Sequence, residues 1–152
     1  MRTIKLLTIP DPILQQQTVA IDRKDIPALI ADYIVPMNML MEMHKGIGLA
    51  APQIGILLSF FITKIENWPV LFNPIILKYS KEEITMMESC LSIPNRQFMV
   101  KRPQSIKLRY MDERGNTHIK HIGGTIARVV QHEFDHLNGL LIDRYPEVTP
   151  TE

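Results

Sequence analysis

The apolar residues of the first third of the chain recur with the period of an α-helix. Between residues 24 and 44 they fall three and four positions apart, at Ile26, Leu29, Ile30, Tyr33, Ile34, Met37, Leu40 and Met41. This spacing predicts an amphipathic helix, and Asp25 is a suitable N-cap for it. Pro36 interrupts the pattern, and because proline cannot donate the helical hydrogen bond, we expect it to kink or divide the helix.

The middle of the chain has the pattern of short strands. Residues 46–55, GIGLAAPQIG, are too rich in glycine and proline for us to expect regular structure. Residues 57–65 and 68–80 are dense in β-branched and aromatic side chains and predict two strands. A further short strand is expected within 83–94, leading into Cys90, and the alternation on both sides of DERGN in 104–122 predicts a hairpin.

The last apolar pattern is again helical, from about Thr125 to Leu140. Asn138 and Gly139 suit its end, and its apolar stripe comprises Ile126, Val129, Val130, Phe134 and Leu137. Beyond it, Pro146 and Pro150 argue against another helix. Two helices and at least five strands predict an α+β domain over residues 1–152, with a helix packed on the sheet.

Composition narrows the class of protein. The 152 residues suit one domain, and 45% apolar residues are enough for a core. The net charge of +1, with both signs well mixed, gives no reason to expect a nucleic-acid or acidic-membrane partner. We find neither a secretory signal nor a run long enough to span a membrane. The single cysteine, Cys90, excludes an internal disulfide and favours a cytoplasmic protein.

The segment QHEFDHLNG, residues 131–139, carries the clearest chemistry. His132 and His136 are four apart, so a helix projects both from one side, where they can bind one metal ion. Glu133 lies about 100° further round and can reach a water on that ion as a general base. Such triplets also occur by chance on helix surfaces. Here the pair borders the apolar stripe, where unpartnered polar groups would be costly.

A catalytic ion of this kind needs a third protein ligand and an open fourth position. Downstream, the chain offers Asp143 and Glu147. Upstream it offers Cys90, whose thiolate is a softer and stronger ligand than a carboxylate. A lone cysteine is also compatible with a small buried apolar residue.

Three segments together resemble the signature motifs of the peptide deformylases, in the same order and with similar spacing. They are GIGLAAPQ (46–53), ESCLS (88–92) and QHEFDHLNG (131–139). This family removes the formyl group from the N-terminal methionine of new polypeptides. The resemblance therefore implies a metal-dependent hydrolase with the family's α+β fold, in which a central motif-bearing helix packs against mixed and antiparallel strands.

The resemblance also implies a role for individual residues. Cys90, His132 and His136 become the metal ligands, and Glu133 becomes the general acid/base for a metal-bound water. Gln53 and the backbone N–H of Leu91 become donors to the oxyanion. A methionine pocket would be built from the first motif, the strand before Cys90 and the motif helix, which places in it Ile47, Gly48, Met86, Glu88, Ser89 and Val129.

Cofactor and partners follow from the same resemblance. It implies Fe(II) in the cell, with zinc, nickel or cobalt in purified samples, and N-formyl-methionyl nascent peptides as substrates. The short C-terminus resembles phage-encoded members, which lack the long C-terminal helix of bacterial ones. We therefore expect only weak ribosome contact, in the cytoplasm, or in the host cytoplasm if the chain is phage-encoded. The sequence does not indicate an oligomeric state, and a monomer is the default.

One position departs from the family pattern. Ser89 stands where the second motif usually has glycine. If that position has positive φ, serine costs about 1 kcal/mol; otherwise Ser89 narrows the cleft or adds a hydrogen bond near the substrate. Two other functions stay open from the sequence, a small zinc peptidase and a non-catalytic binder that has lost turnover through Ser89.

Overall fold

A computed structural model describes residues 1–150, in which three α-helical segments and seven strands follow one another. The strands are β1 (Gly48–Ala50), β2 (Phe60–Thr63), β3 (Val70–Tyr79), β4 (Glu83–Cys90), β5 (Ile93–Pro103), β6 (Ser105–Met111) and β7 (Thr117–Gly123). The helices are α1 (Ile26–Leu29), α2 (Val35–Met43) and α3 (Gly124–Leu137). Single 3-10 turns lie at Pro12–Gln15, Arg23–Asp25, Ala51–Ile54 and Ile142–Arg144. The predicted α+β class is confirmed.

The predicted first helix exists, and its regular α-helical hydrogen bonding is interrupted just before Pro36. Residues Ile30–Ile34 form a π-helical turn that joins α1 to α2 without a break. Pro36, at the second position of α2, has no N–H to donate to a carbonyl of the preceding turn. A wider π-helical turn there leaves fewer backbone groups without a hydrogen bond. The expectation for Asp25 was wrong, since its side chain caps nothing. Asp22 instead accepts from the Lys24 N–H and caps the preceding 3-10 turn.

Five antiparallel strands form the main sheet, in the order β1-β2-β3-β6-β7. Helices cover both faces of its first three strands. One face packs Phe60, Ile62 and Phe72 against the α1–α2 helices, while the other packs Phe61 and Leu71 against α3. All four residues of β2 are therefore buried, which explains why Phe60, Phe61 and Ile62 follow one another instead of alternating with polar residues.

A separate sheet of two strands, β4 and β5, carries Cys90 at the end of β4. It packs on a small third core that includes Leu14, Ile93, Phe98, Val100, Leu141 and Ile142. The position of Cys90 relative to the rest of the molecule therefore depends on side-chain packing and ion pairs, because no ladder of backbone hydrogen bonds joins the two sheets.

The sequence-based assignment failed in two places. Residues Gly48–Ala50 do form a strand, at the edge of the main sheet, and Ala51–Ile54 form a 3-10 turn. The long strand β5 was not expected. Its sequence lacks the usual strand pattern, because it contains Pro94 and Pro103 and the polar or charged pairs at 96–97 and 101–102. The strands expected in 57–65, 68–80 and 83–94 and the hairpin of β6 and β7 are confirmed, with shorter ends.

The C-terminal segment forms no helix beyond one 3-10 turn within the described residues, as Pro146 predicted. It runs instead beside β5, where the Met99 N–H donates to Pro146 O and the Val148 N–H donates to Gln97 O, both at 2.8 Å. No helix among residues 1–150 is both long and apolar enough to span a bilayer.

Two glycines at the ends of α3 provide a matched test of backbone packing. Both have positive φ, +63° for Gly124 and +71° for Gly139. A Cβ on Gly124 would meet nothing within 4 Å, whereas one on Gly139 would lie 2.5 Å from the carbonyl oxygen of Gln15. We expect Gly124→Ala to cost about 1 kcal/mol from φ alone, and Gly139→Ala to cost at least about 2 kcal/mol more. Urea unfolding measures both, and equal losses would contradict the close approach.

Candidate active site

The three predicted metal ligands come together from two elements. His132 and His136 lie one turn apart on α3, and Cys90 ends β4. One ligand atom from each lies within 4.8 Å of the others. Cys90 Sγ is 3.3 Å from His136 Nε2. This is close to the distance of roughly 3.5 Å expected between a sulfur and a nitrogen that bind the same zinc ion tetrahedrally. The other candidate ligands stay outside, since Asp143 is exposed and Glu147 pairs with Arg96 at 2.8 Å.

Glu88 fixes the orientation of the His132 ring. Its Oε1 lies 2.8 Å from His132 Nδ1, and the two Arg102 contacts to Glu88 measure 2.7 and 3.0 Å. Burial opposes the charge of Glu88, but the hydrogen bonds from His132 and Arg102 outweigh it and lower the pKa to about 2. The ionised carboxylate can only accept, so Nδ1 donates and Nε2 is left free to bind a metal.

Three further ion pairs bind this cluster to its surroundings. Arg102 also donates to Asp135 Oδ2 at 2.8 Å, and Arg144 donates to the same oxygen at 3.0 Å. Arg128 of α3 donates to Glu88 Oε2 at 2.7 Å and to the backbone carbonyls of Val100 and Ile84. Arg128 therefore contacts both strands of the small sheet and holds them against the helix that carries the histidines.

Glu133 is buried in a different environment from Glu88. Its side chain is inside the protein, with the residue 3% exposed, and Oε2 has no hydrogen-bond partner among the described residues. Burial raises its pKa to about 7, against the opposing effects of His132 and Arg102. A carboxyl group with this pKa can both accept and donate a proton near neutral pH.

Gly48 makes room for Glu133. A Cβ on Gly48 would lie 2.5 Å from Glu133 Oε1 and 2.9 Å from its Cδ. Any side chain there would displace the carboxylate, so this glycine of the first motif is required by close approach, since its φ is not in the left-handed region.

The side-chain amide of Gln53 is held in a fixed position next to Cys90. Its Oε1 accepts from the Ala50 N–H at 2.9 Å, which fixes the plane of the amide. Its Nε2 donates to Ser92 Oγ at 3.0 Å and lies 3.8 Å from Cys90 Sγ. The amide nitrogen therefore lies next to the Cys90 sulfur.

A cleft of about 440 Å³ opens over this cluster. Its lining contains two of the three ligands, Cys90 and His132, together with Glu133 and Gln53. Every residue expected in a substrate pocket also lines it, namely Ile47, Gly48, Met86, Glu88, Ser89 and Val129, and so does Leu91. Both carboxylate oxygens of Glu88 are engaged by cations, so its contact with the cleft is not through a free carboxylate.

Comparison with known proteins agrees with this geometry. The family model described as polypeptide deformylase matches residues 3–150. The peptide deformylase of Borreliella burgdorferi is 36% identical over 148 residues, which cover 95% of this chain and 88% of the relative.

The chain belongs to the polypeptide deformylase family.

Solved structures of the family have the same fold. The peptide deformylase of Thermotoga maritima matches with a TM-score of 0.85 and 33% identity, covering 99% of this chain and 100% of that one. A probable peptide deformylase from Synechococcus phage S-SSM7 matches with a TM-score of 0.82 and 36% identity, covering 94% and 99%. The family resemblance of the three sequence motifs is thus confirmed over nearly the whole chain.

Sequence reasoning missed the residues that support the cluster. Ser92 and Asp135 lie inside the motifs ESCLS and QHEFDHLNG, so their positions were visible although their contacts were not. Arg102 and Arg128 gave no signal, because a buried arginine has the same appearance in a sequence as an exposed one. Ser89 has no positive φ, so the backbone strain that was one of the alternatives for this position does not arise.

Gly48 provides a test of how the cleft is built. We expect Gly48→Ala to lower the turnover of formylated peptide roughly 100-fold, because displacement of a catalytic group by about 1 Å has that effect. Gly123→Ala is the control, since its Cβ would meet only ordinary contacts at 3.6 Å or more. Steady-state kinetics on both variants decide the matter, and full activity of Gly48→Ala would contradict the close approach to Glu133.

Glu88 gives a prediction for acid stability. Because folding lowers its pKa from 4.5 to about 2, the unfolded chain binds the proton more readily. Its contribution is fully present above pH 4.5 and is lost as the pH falls towards 2. The difference in unfolding free energy between the wild type and Glu88→Gln should therefore shrink over that interval. Urea titrations at pH 6 and pH 3 measure it, and a difference that is independent of pH would contradict the assignment.

Proposed function

We propose that the chain hydrolyses the N-formyl group of formyl-methionyl nascent peptides and that the buried cluster of Cys90, His132, His136 and Glu133 performs the reaction. The convergence of one sulfur and two imidazole nitrogens beside the buried carboxyl group of Glu133 is the observation that carries this proposal. Family membership supports it from outside the site.

The side chains fit a divalent cation. One thiolate and two neutral imidazoles suit iron or zinc, and the ring of His132 already presents Nε2 because Glu88 holds Nδ1. We propose Fe(II) as the ion in the cell, and zinc, nickel or cobalt as ions that purified protein can carry. Held by Cys90, His132 and His136, such an ion would supply positive charge next to the formyl oxygen and the attacking water.

Glu133 is the proposed proton carrier. Its unpartnered Oε2 can take a proton from the attacking water, because the carboxylate form is populated at neutral pH. The same carboxyl group then delivers that proton to the amide nitrogen as the carbon–nitrogen bond breaks. One water is consumed, and formate and the free amine of methionine are released.

The amide of Gln53 is proposed to stabilise the negative oxygen that develops on the formyl carbon. Its orientation is fixed by Ala50 and Ser92, so little reorganisation is needed during the reaction. The backbone N–H of Leu91, in the same cleft lining, is the proposed second donor. The loss of one such donor typically costs roughly 3 kcal/mol of transition-state stabilisation.

Substrate binding is proposed to use the apolar lining of the same cleft. Ile47, Met86 and Val129 provide walls for an unbranched methionine side chain. Ser89 contributes an exposed hydroxyl beside Cys90. Because such substrates emerge from ribosomes, the proposed place of action is the cytoplasm, with a monomeric enzyme and weak ribosome contact.

Formate release from formyl-Met-Ala-Ser tests the function. An anaerobically prepared Fe(II) enzyme should release one formate per peptide and leave the peptide bonds intact. Glu133→Gln should keep a full equivalent of metal by elemental analysis and lose several orders of magnitude in rate. Peptide cleavage without formate would replace this proposal with a peptidase, and near-normal turnover by Glu133→Gln would assign the proton transfers to another group.

A further inference from the structure

The end of helix α2 places a lysine where the backbone favours glycine. The Gly46 N–H donates to Met41 O at 2.9 Å and the Lys45 N–H donates to Glu42 O at 3.1 Å. This is the pattern of a Schellman helix end, in which the residue corresponding to Lys45 adopts a left-handed conformation and is usually glycine. Lys45 has φ of 57°, so the chain accepts backbone strain to keep a side chain at this position.

The Lys45 side chain is exposed and lines the cleft above the catalytic cluster. The segment that follows it leads directly into that cluster. Gly46 lies against Leu91, with a hypothetical Cβ 2.7 Å from Leu91 Cδ1, and Gly48 lies against Glu133. Lys45 is thus at the outer end of a chain segment whose inner end contacts the proposed proton carrier.

The charge of Lys45 is not matched by the other groups of the cleft. Glu88 is already paired with Arg102 and Arg128, and Glu133 is buried at the inner end. The neighbouring acid on α2, Glu42, pairs with Lys64 at 3.0 Å. No ion pair within residues 1–150 includes Lys45.

We propose that Lys45 makes the cleft selective for formyl-peptides that carry a carboxylate in one of the two residues after formyl-methionine, and disfavours peptides with a lysine or arginine there. This inference rests on the proposed function, because it concerns the peptide that the same cleft would hold. Lys45 acts on the part of the substrate outside the reacting group, so its effect appears mainly in KM.

The expected effect is modest and depends on salt. A single exposed ion pair typically changes an equilibrium roughly two- to fivefold. The preference should weaken between 20 mM and 500 mM salt, because ions screen exposed charges over about 10 Å or less at the higher concentrations. A preference based on the shape of aspartate would not respond to salt in this way.

Kinetics on C-terminally amidated peptides test the inference without the charge of a free C-terminus. Four peptides are needed. Two carry Asp or Lys as the second residue after methionine, formyl-Met-Ala-Asp and formyl-Met-Ala-Lys, and two carry Asp or Lys as the first, formyl-Met-Asp-Ala and formyl-Met-Lys-Ala. We expect wild-type kcat/KM to favour Asp over Lys at one of these positions by at least roughly threefold. Lys45→Glu should reverse the ratio, while Lys45→Gly should bring it close to one and keep or raise the urea midpoint, because glycine relieves the strain.

Lys5→Glu is the matched control, since Lys5 is also exposed but does not line the cleft. It changes the net charge equally and should leave the Asp/Lys ratio unchanged. A wild-type ratio near one at both positions, or the same ratio in Lys45→Glu as in the wild type, would overturn the inference. Absence of formate from every peptide would instead overturn the proposed function, so the two failures are distinguishable.

Discussion

The geometry of the site depends on the buried carboxylate of Glu88. The strand that carries Cys90 belongs to a sheet with no backbone ladder to the main one, so the sulfur is positioned against the imidazoles by side chains. Glu88 accepts from Arg102, Arg128 and His132 at 2.7 to 3.0 Å. A buried charge is tolerated only when it is fully matched, and this requirement holds strand, helix and ligand in one arrangement.

Two glutamates within the same cluster have opposite electrostatic environments. Glu88 is surrounded by donors and stays ionised in acid, whereas Glu133 has an oxygen without a partner and a pKa of about 7. Both side chains are inside the protein and burial raises both pKa values, but only Glu88 has hydrogen bonds that outweigh this effect. One carboxylate is thereby suited to holding a neighbour in place and the other to exchanging a proton.

The sequence predicted those features of the fold and of the candidate site that depend on residues close together in the chain. The apolar period predicted helix α3, the spacing of His132 and His136 identified two candidate ligands on it, and the three motifs together identified the family. Strand β5 was missed because its prolines and charged residues conceal a strand that is stabilised by pairing with β4. The contacts of Arg102 and Arg128 could not be predicted, since they join residues between 14 and 44 positions apart in the chain.

The C-terminal segment has a protective effect on the small sheet. By donating and accepting backbone hydrogen bonds along β5, residues 146–148 occupy an edge that would otherwise offer unpaired amide groups. Exposed edges recruit extended segments of other chains and promote aggregation. An enzyme that meets unfolded nascent polypeptides is surrounded by such segments, and a sealed edge leaves them one fewer place to attach away from the cleft.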